Sequence, residues 1–252
     1  MAKSIDRFSS RVENYIRYRP GYPAEIVSLL SSECGLSPHS VIVDVGSGTG
    51  KLSELFLQHG SLVIGIEPNS GMRSAAENLL SQYPNFRSLN ATAEATSLES
   101  NSVDFVTAGQ AFHWFDPIKA RIEFQRILKP DGWAVLVWNL RLVDTTPFLR
   151  EYEALLLKYG TDYEQVRHEN AAPAIKDFFA PNQPEFRSFP NSQVFDFEGL
   201  KGRVLSSSYT PEPDHPSFES MISELRQVFD RHQTQGTVSC DYDTQVFFGR
   251  LN

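Results

Sequence analysis

The chain has 252 residues, a formal net charge of -8, 40% hydrophobic residues and 12% aromatic residues. That is enough apolar material for one large α/β domain carrying a cap. An acidic chain with no dense Lys/Arg run repels a phosphate backbone, so no nucleic-acid partner is expected.

The two cysteines, Cys34 and Cys240, form no C-x-x-C pair and read as reduced thiols of a cytoplasmic protein. The N-terminus is polar and rich in arginine, without a secretory apolar stretch. The longest apolar run spans residues 133–138, far short of the roughly 20 residues that cross a bilayer. A soluble protein without membrane contact is expected, either a monomer or a homodimer.

In chain order, residues 41–45 (VIVDV) form a β-branched run closed by Gly46, and Leu52, Leu55 and Phe56 follow at helical spacing. Residues 62–66 (LVIGI) predict a second strand. Residues 68–80 predict a helix with Ala75, Ala76, Leu79 and Leu80 on one side. A weak strand over 85–89 and a stronger one over 103–108 come next. An amphipathic helix over 118–128 carries Ile122, Phe124, Ile127 and Leu128 as its apolar residues. The turn Lys129-Pro130-Asp131-Gly132 then leads to a buried strand over 133–138. This alternation predicts βαβ units and a parallel sheet covered on both faces.

Beyond residue 140 the rhythm changes. Helices are predicted over 147–159, 171–179 and 218–231, with a shorter one near 198–208. Strands are predicted within 186–197 and 238–250. The inserted helices, about 145–180, are expected to cover the open edge of the sheet.

The stretch VIVDVGSGTGKL (41–52) places Asp44, Gly46, Ser47, Gly48, Thr49 and Gly50 where the first strand becomes the first helix. Ligands of open parallel sheets bind beyond the carboxyl ends of the strands, where glycine lets the backbone turn tightly. The dinucleotide fingerprint would need glycine at Lys51, and no phosphate-loop motif is present. Glu67 closes the second strand. A carboxylate there can accept hydrogen bonds from both hydroxyls of a ribose, or simply complement the helix that starts near Pro68.

Residues 91–98 (ATAEATSL) follow the third strand; the plain alternative is a helix start capped by Thr92. Residues 109–115 (GQAFHWF) bring polar and aromatic side chains to the same rim, or form an aromatic packing loop. The six histidines show no metal-ligand spacing, so no metal site is expected.

These motifs together resemble the class I S-adenosylmethionine-dependent methyltransferases. Within them the chain is similar to the methyltransferase type 11 branch that includes trans-aconitate-methyltransferase-like proteins. The acid-bearing strand and G-x-G-x-G match residues 41–50, and Glu67 matches the ribose-binding acid. The G-x-A-E motif matches Ala91 to Glu94, with alanine in place of the glycine. The H-W pair matches His113-Trp114, and the L-K-P-G-G turn matches residues 128–132 with an acid at 131. The pattern Y-x-x-x-R-P-x-Y-P matches Tyr15, Arg19, Pro20, Tyr22 and Pro23.

The resemblance implies a Rossmann-like, doubly wound, seven-stranded sheet, mostly parallel with an antiparallel C-terminal strand, plus a helical cap. Its parts would be an N-terminal helical lid (1–35), a cofactor-binding core (36–140), a cap insertion with one sheet strand (141–235) and a C-terminal strand (236–252). It implies S-adenosyl-L-methionine as cofactor. The implied contacts are Tyr15, Arg19, Asp44, Gly46, Ser47, Gly48, Thr49, Gly50, Glu67, Pro68, Asn69, Met72, Ala93, Glu94, Gln110, Ala111 and Phe112. Arg19 would pair with the cofactor's carboxylate or with an acidic substrate.

Methyl transfer by in-line displacement asks the protein to align the reactants and exclude water. His113 is the candidate general base, its alternative being a histidine that shapes the pocket. Tyr22, His113, Trp114, Asn139 and Arg141 are the candidate substrate contacts. A carboxylate acceptor would suit Arg141 and, ionised at pH 7, would need no base. Two competing readings stay open: a cofactor-binding protein without catalysis, and an NAD-dependent oxidoreductase, which Lys51 disfavours.

Overall fold

The computed structural model describes residues 12–161, 163 and 172–251. The first eleven residues of the expected lid, and Ala171, lie outside the described residues. The strands are β1 (Val41–Val45), β2 (Leu62–Ile66), β3 (Phe86–Leu89), β4 (Val103–Gly109), β5 (Leu128–Arg141), β6 (Glu185–Phe195) and β7 (Val238–Gly249). The helices are α1 (Val12–Tyr18), α2 (Glu25–Cys34), α3 (Lys51–His59), α4 (Ser70–Leu79), α5 (Pro117–Ile127), α6 (Pro147–Tyr159), α7 (Ala172–Phe179), α8 (Phe197–Leu205) and α9 (Phe218–His232).

All seven strands join one sheet in the order β3-β2-β1-β4-β5-β7-β6. Neighbours from β3 to β5 run parallel, whereas β7 is antiparallel to both β5 and β6. The parallel part follows from burial on both faces: Ile42 and Val43 are adjacent in β1 and neither is exposed. From β1 the chain builds outward on one side to β2 and β3. It then returns to place β4 on the other side. The carboxyl ends of β1 and β4 therefore flank a crevice.

One sheet face is covered by α2 and α3, packed on Ile42, Val63, Phe105 and Val135. The other carries α5 and α7 over Val43, Val106, Leu136 and Trp138. A third apolar cluster joins α6, α8 and α9 to Val238, Cys240 and Tyr242 of β7. Because Tyr242 pairs with Arg141, this cluster stands at the carboxyl end of β5, beside the crevice.

Several details depart from the pattern-based expectation. The inserted helices leave the sheet edge open: β6 is the edge strand, and its Val194 is 66% exposed. Instead α6 joins the cap cluster and α7 lies on a sheet face. Residues 129–132 are a bulge inside β5, since Leu128 pairs with Val103 and Trp133 with Phe105. The Asp104 carboxylate braces it, accepting from Lys129 and from the Val41 amide at 2.8 Å each. Ile122 faces solvent at 61% exposure, so the buried stripe of α5 is Ala120, Glu123, Phe124 and Ile127. Thr92 caps no helix; it starts a turn closed by the Ala95 amide on its carbonyl. That segment is held by Glu123, which accepts from the Thr96 amide and hydroxyl. No helix among the described residues is long and apolar enough to cross a membrane.

Candidate active site

The glycine turn sits at the carboxyl end of β1. Its Gly46 and Ser47 amides donate to the Ile66 carbonyl at 2.8 and 3.1 Å, tying it to the end of β2. Gly46 has φ +67°, and a Cβ there would lie 2.5 Å from the Ala111 Cβ. Gly50 has φ +85° and opens α3 against Leu80, whose Cδ1 would be 2.5 Å from an added Cβ. Gly50 does not itself line the cleft. At Gly48 a Cβ would meet nothing within 4 Å, so that glycine presents bare backbone to open space.

Two acids organise this end. Asp44 is fully enclosed in β1 and accepts from the Ser53 hydroxyl at 2.6 Å and the Thr107 hydroxyl at 3.4 Å. Burial pushes its carboxyl up to about 7, against those hydrogen bonds. Glu67 ends β2 and accepts from the Asn69 amide at 2.8 Å and the Gly48 amide at 2.9 Å. Burial raises its pKa too, opposed by the two amides and by Arg73. Asn69 caps α4, its side chain accepting from the Met72 amide at 2.9 Å.

The cleft has two halves that share Tyr15, Gly46, Gly109, Gln110 and Trp114. The first half adds Gly48, Glu67, Pro68, Asn69, Met72, Ala93, Glu94 and Ala111, all predicted, with Phe115 and Thr92, which were not. Glu94 holds its rim together by accepting from the Asp116 amide at 2.9 Å. Phe112 is a correction. Its ring is buried, packed edge-on to Trp138 and Phe178, and does not reach the cleft.

The second half gathers Arg19, Tyr22, Asp44, Ser47, Thr49, His113, Asn139 and Arg141 with several unpredicted residues: Lys51, Tyr163, Arg203, Tyr209 and Tyr242. Lys51 donates to the Ile16 carbonyl at 3.0 Å and so pins α1 across the turn. Arg19 lies over the Tyr15 ring, 5.3 Å from its centroid. The Tyr22 hydroxyl fills the space beside Gly109, 2.5 Å from where a Cβ would be. Gln110 holds a left-handed φ of +55°, a strained conformation for a residue with a side chain, at the junction of the halves. His113 is exposed at the rim, its ring 4.6 Å from that of Trp114.

Two predicted substrate contacts are engaged elsewhere. The Asn139 amide donates to the Gly21 carbonyl at 3.0 Å, and its oxygen accepts from Thr244 and Asn191. It fixes the chain after α1. Arg141 pairs with Glu153, donates to the Tyr163 hydroxyl at 2.9 Å, and lies over the Tyr152 ring. Of the missed residues, Arg203 carried no local signal: it is one arginine on an amphipathic helix, brought in by packing alone.

Four buried polar atoms on cleft residues have no hydrogen-bond partner among the described residues: Arg19 Nε, Thr49 Oγ1, Gln110 Oε1 and Arg141 Nη1. Such atoms are costly unless a ligand satisfies them. An acid at a sugar's position, an apolar slot with Met72, Ala93 and Phe115, and unmatched cations beyond fit a nucleoside joined to an amino acid. Among the described residues no cluster of three His, Cys, Asp or Glu could hold a metal.

The chain matches the methyltransferase domain family over residues 43–136, the stretch from the glycine turn through His113 into β5. It is 33% identical over 243 residues to an uncharacterized methyltransferase of Schizosaccharomyces pombe, covering 95% of each chain. It is 31% identical over 225 residues to one of Mycobacterium tuberculosis, covering 89% of this chain and 86% of that one. A solved structure of a type II methyltransferase candidate from Anaeromyxobacter dehalogenans shares the fold: TM-score 0.69, 18% identity, 93% of this chain and 98% of that chain. The motifs, the fold and these relatives agree, and the chain belongs to the class I S-adenosylmethionine-dependent methyltransferase family.

Proposed function

We propose that this methyltransferase acts on a small anionic acceptor and that the accepting atom is a carboxylate oxygen. The supporting observation is the charge of the second half of the cleft. It is lined by the guanidinium groups of Arg19, Arg141 and Arg203 and by four phenols besides Tyr15, with Asp44 as its one acid among the described residues. The wall formed by α1 and the segment after α8 leaves room for a small molecule.

When bound, S-adenosylmethionine supplies a methyl group activated by its sulfonium. Glu67 accepts from the ribose hydroxyls, its two oxygens having lone pairs left after the Gly48 and Asn69 amides. Met72, Ala93 and Phe115 enclose the base. Asp44 offsets the ammonium, and Arg19 takes the amino-acid carboxylate. Tyr22, His113 and Trp114 wall the transfer site and keep water out. A carboxylate arrives ionised, so no proton has to be removed.

The test uses the purified protein with methyl-tritiated S-adenosylmethionine and separate acceptors: acetate, benzoate, succinate, citrate, phenol and benzylamine. The expected product is an ester, recognised by release of volatile tritiated methanol in alkali. Transfer to phenol or benzylamine with none to the carboxylates would overturn the proposal.

A further inference from the structure

Arg141, which the sequence singles out, is already neutralised by Glu153. Arg203, by contrast, has no carboxylate partner among the described residues. It is 6% exposed, projects from α8 and lines the second half of the cleft. Its Nε donates to the Tyr242 hydroxyl at 3.2 Å and its Nη1 to the Ser207 hydroxyl at 3.2 Å. Its Nη2 makes no hydrogen bond to the described residues, and no carboxylate there pairs with it.

Arg19 reaches the same Ser207 hydroxyl at 3.4 Å, and donates to the Ser206 carbonyl at 3.0 Å. Two guanidinium groups thus converge on one hydroxyl, a like-charge arrangement that is costly in a buried site. Burial and the Arg203 charge both press Arg19 toward its neutral form. Elements around Arg203 contribute Tyr152 from α6, Tyr242 from β7 and Tyr209 after α8, which are phenols rather than acids. Two anions would balance the pair, and the cofactor brings one carboxylate, matched to Arg19 above.

We infer that Arg203 is the residue that holds the acceptor's carboxylate and selects acids over neutral acceptors. This rests on the carboxylate-acceptor reading above. In the step, a carboxylate oxygen forms a bond to the methyl carbon, the carbon–sulfur bond breaks, and its electron pair stays on sulfur. The products are a methyl ester and a neutral thioether, and no proton moves. Because the acceptor's charge vanishes as the ester forms, the ion pair with Arg203 is strongest in the bound substrate. Its loss should therefore appear in KM rather than in kcat. The planar fork suits a carboxylate better than an ammonium would.

The test compares wild type, Arg203→Gln and Arg203→Lys with whichever of acetate, benzoate, succinate and citrate is methylated fastest. S-adenosylhomocysteine affinity is measured by calorimetry, and Tm beside it. The expected result for Arg203→Gln is KM raised at least about 30-fold, kcat within about threefold, and S-adenosylhomocysteine affinity within about twofold, with partial recovery in Arg203→Lys. Loss of S-adenosylhomocysteine affinity with KM unchanged would assign the cofactor's carboxylate to Arg203 and overturn the inference. So would unchanged parameters, or a joint fall of Tm and kcat that lysine does not restore. Wild type that methylates no carboxylate would remove the acceptor reading itself, and this inference with it.

Discussion

In the cofactor half of the cleft, Gly46, Gly48, Glu67, Ala93 and Glu94 come from three successive strand ends, and backbone amides make most of the bonds. In the acceptor half, Arg19, Arg141, Arg203 and Tyr242 come from the turn after α1 and from β5, α8 and β7, and side chains make the bonds. Arg19 and Ser206 meet across 187 positions of chain. Recognition built from backbone is set by local turn geometry, whereas recognition built from side chains depends on how distant elements dock. The first tolerates little change at single glycines. The second should fail gradually as α1 and α8 lose their packing.

Gly46→Ala should break the cofactor half most completely. The new methyl meets Ala111 at 2.5 Å in a backbone that L residues avoid. Left-handed strain costs about 1–2 kcal/mol and overpacking about 1–3 kcal/mol. We expect a fall of about 2–5 kcal/mol in stability and at least about 100-fold in S-adenosylhomocysteine affinity, read by thermal melting and calorimetry. Near-normal binding would mean that the turn shifts to accept the methyl, and that backbone geometry is not the limiting feature of this half.

Asp44 lines the second half but faces the cofactor's ammonium in the proposed binding mode, so it gives cofactor binding a pH signature that acceptor binding lacks. Its folded pKa of about 7 lies above the ordinary carboxylate value. The folded chain therefore keeps a proton that the unfolded chain has lost, so stability falls as pH rises from about 4 to about 7, by at most roughly 4 kcal/mol. A bound ammonium reverses the preference, so S-adenosylhomocysteine affinity should rise across the same window. Glu67, raised in the same direction, adds to both trends. Asp44→Asn should flatten Asp44's share of both curves. An unchanged pH dependence of Tm in that variant would remove Asp44 as their source.

Gly202→Ala sharpens the comparison from the other side. An added Cβ on α8 would lie 2.0 Å from the Tyr18 ring, so the variant wedges α1 away from α8. Overpacking of this kind costs about 1–3 kcal/mol. Because Tyr15 and Arg19 ride on or just after α1, turnover should fall about 10-fold or more while S-adenosylhomocysteine binding falls less. Faster proteolysis after Arg17 or Arg19 would report the displaced helix. Equal losses in binding and turnover would mean that the halves are not separable.

The same contrast explains what could be read from the chain in advance. The glycine turn, Glu67 and the segment before Glu94 are contiguous motifs whose job is done within a few residues, and each lies where its pattern predicts. Lys51 was legible only as the residue that excludes a dinucleotide; its bond to Ile16 needs the fold. Arg203, Tyr209 and Tyr242 enter the site through long-range packing, and their spacing says nothing of it. Asn139 and Arg141 line the cleft, but their Gly21 and Glu153 partners could not be seen in the chain. Phe112 and Ile122 were misplaced for one reason: an apolar residue near a site or on a helix does not announce which way it faces.

His113→Ala should have the smallest effect. The imidazole is exposed at the rim beside Trp114, where it walls the transfer site. A carboxylate acceptor gives it no proton to take, so kcat at pH 7.5 should fall by no more than about fivefold, through loosened packing alone. A general base is worth about 100- to 10,000-fold, so the two roles are far apart on the rate axis. The pH profile separates them again. With an ionised acceptor, kcat should stay level from pH 6.5 to 8.5 in both wild type and variant. A 100-fold loss, with a wild-type rate that climbs tenfold per pH unit below pH 6.5, would make His113 a base. The acceptor half would then have to hold a hydroxyl or an amine, and its guanidinium groups would need another explanation.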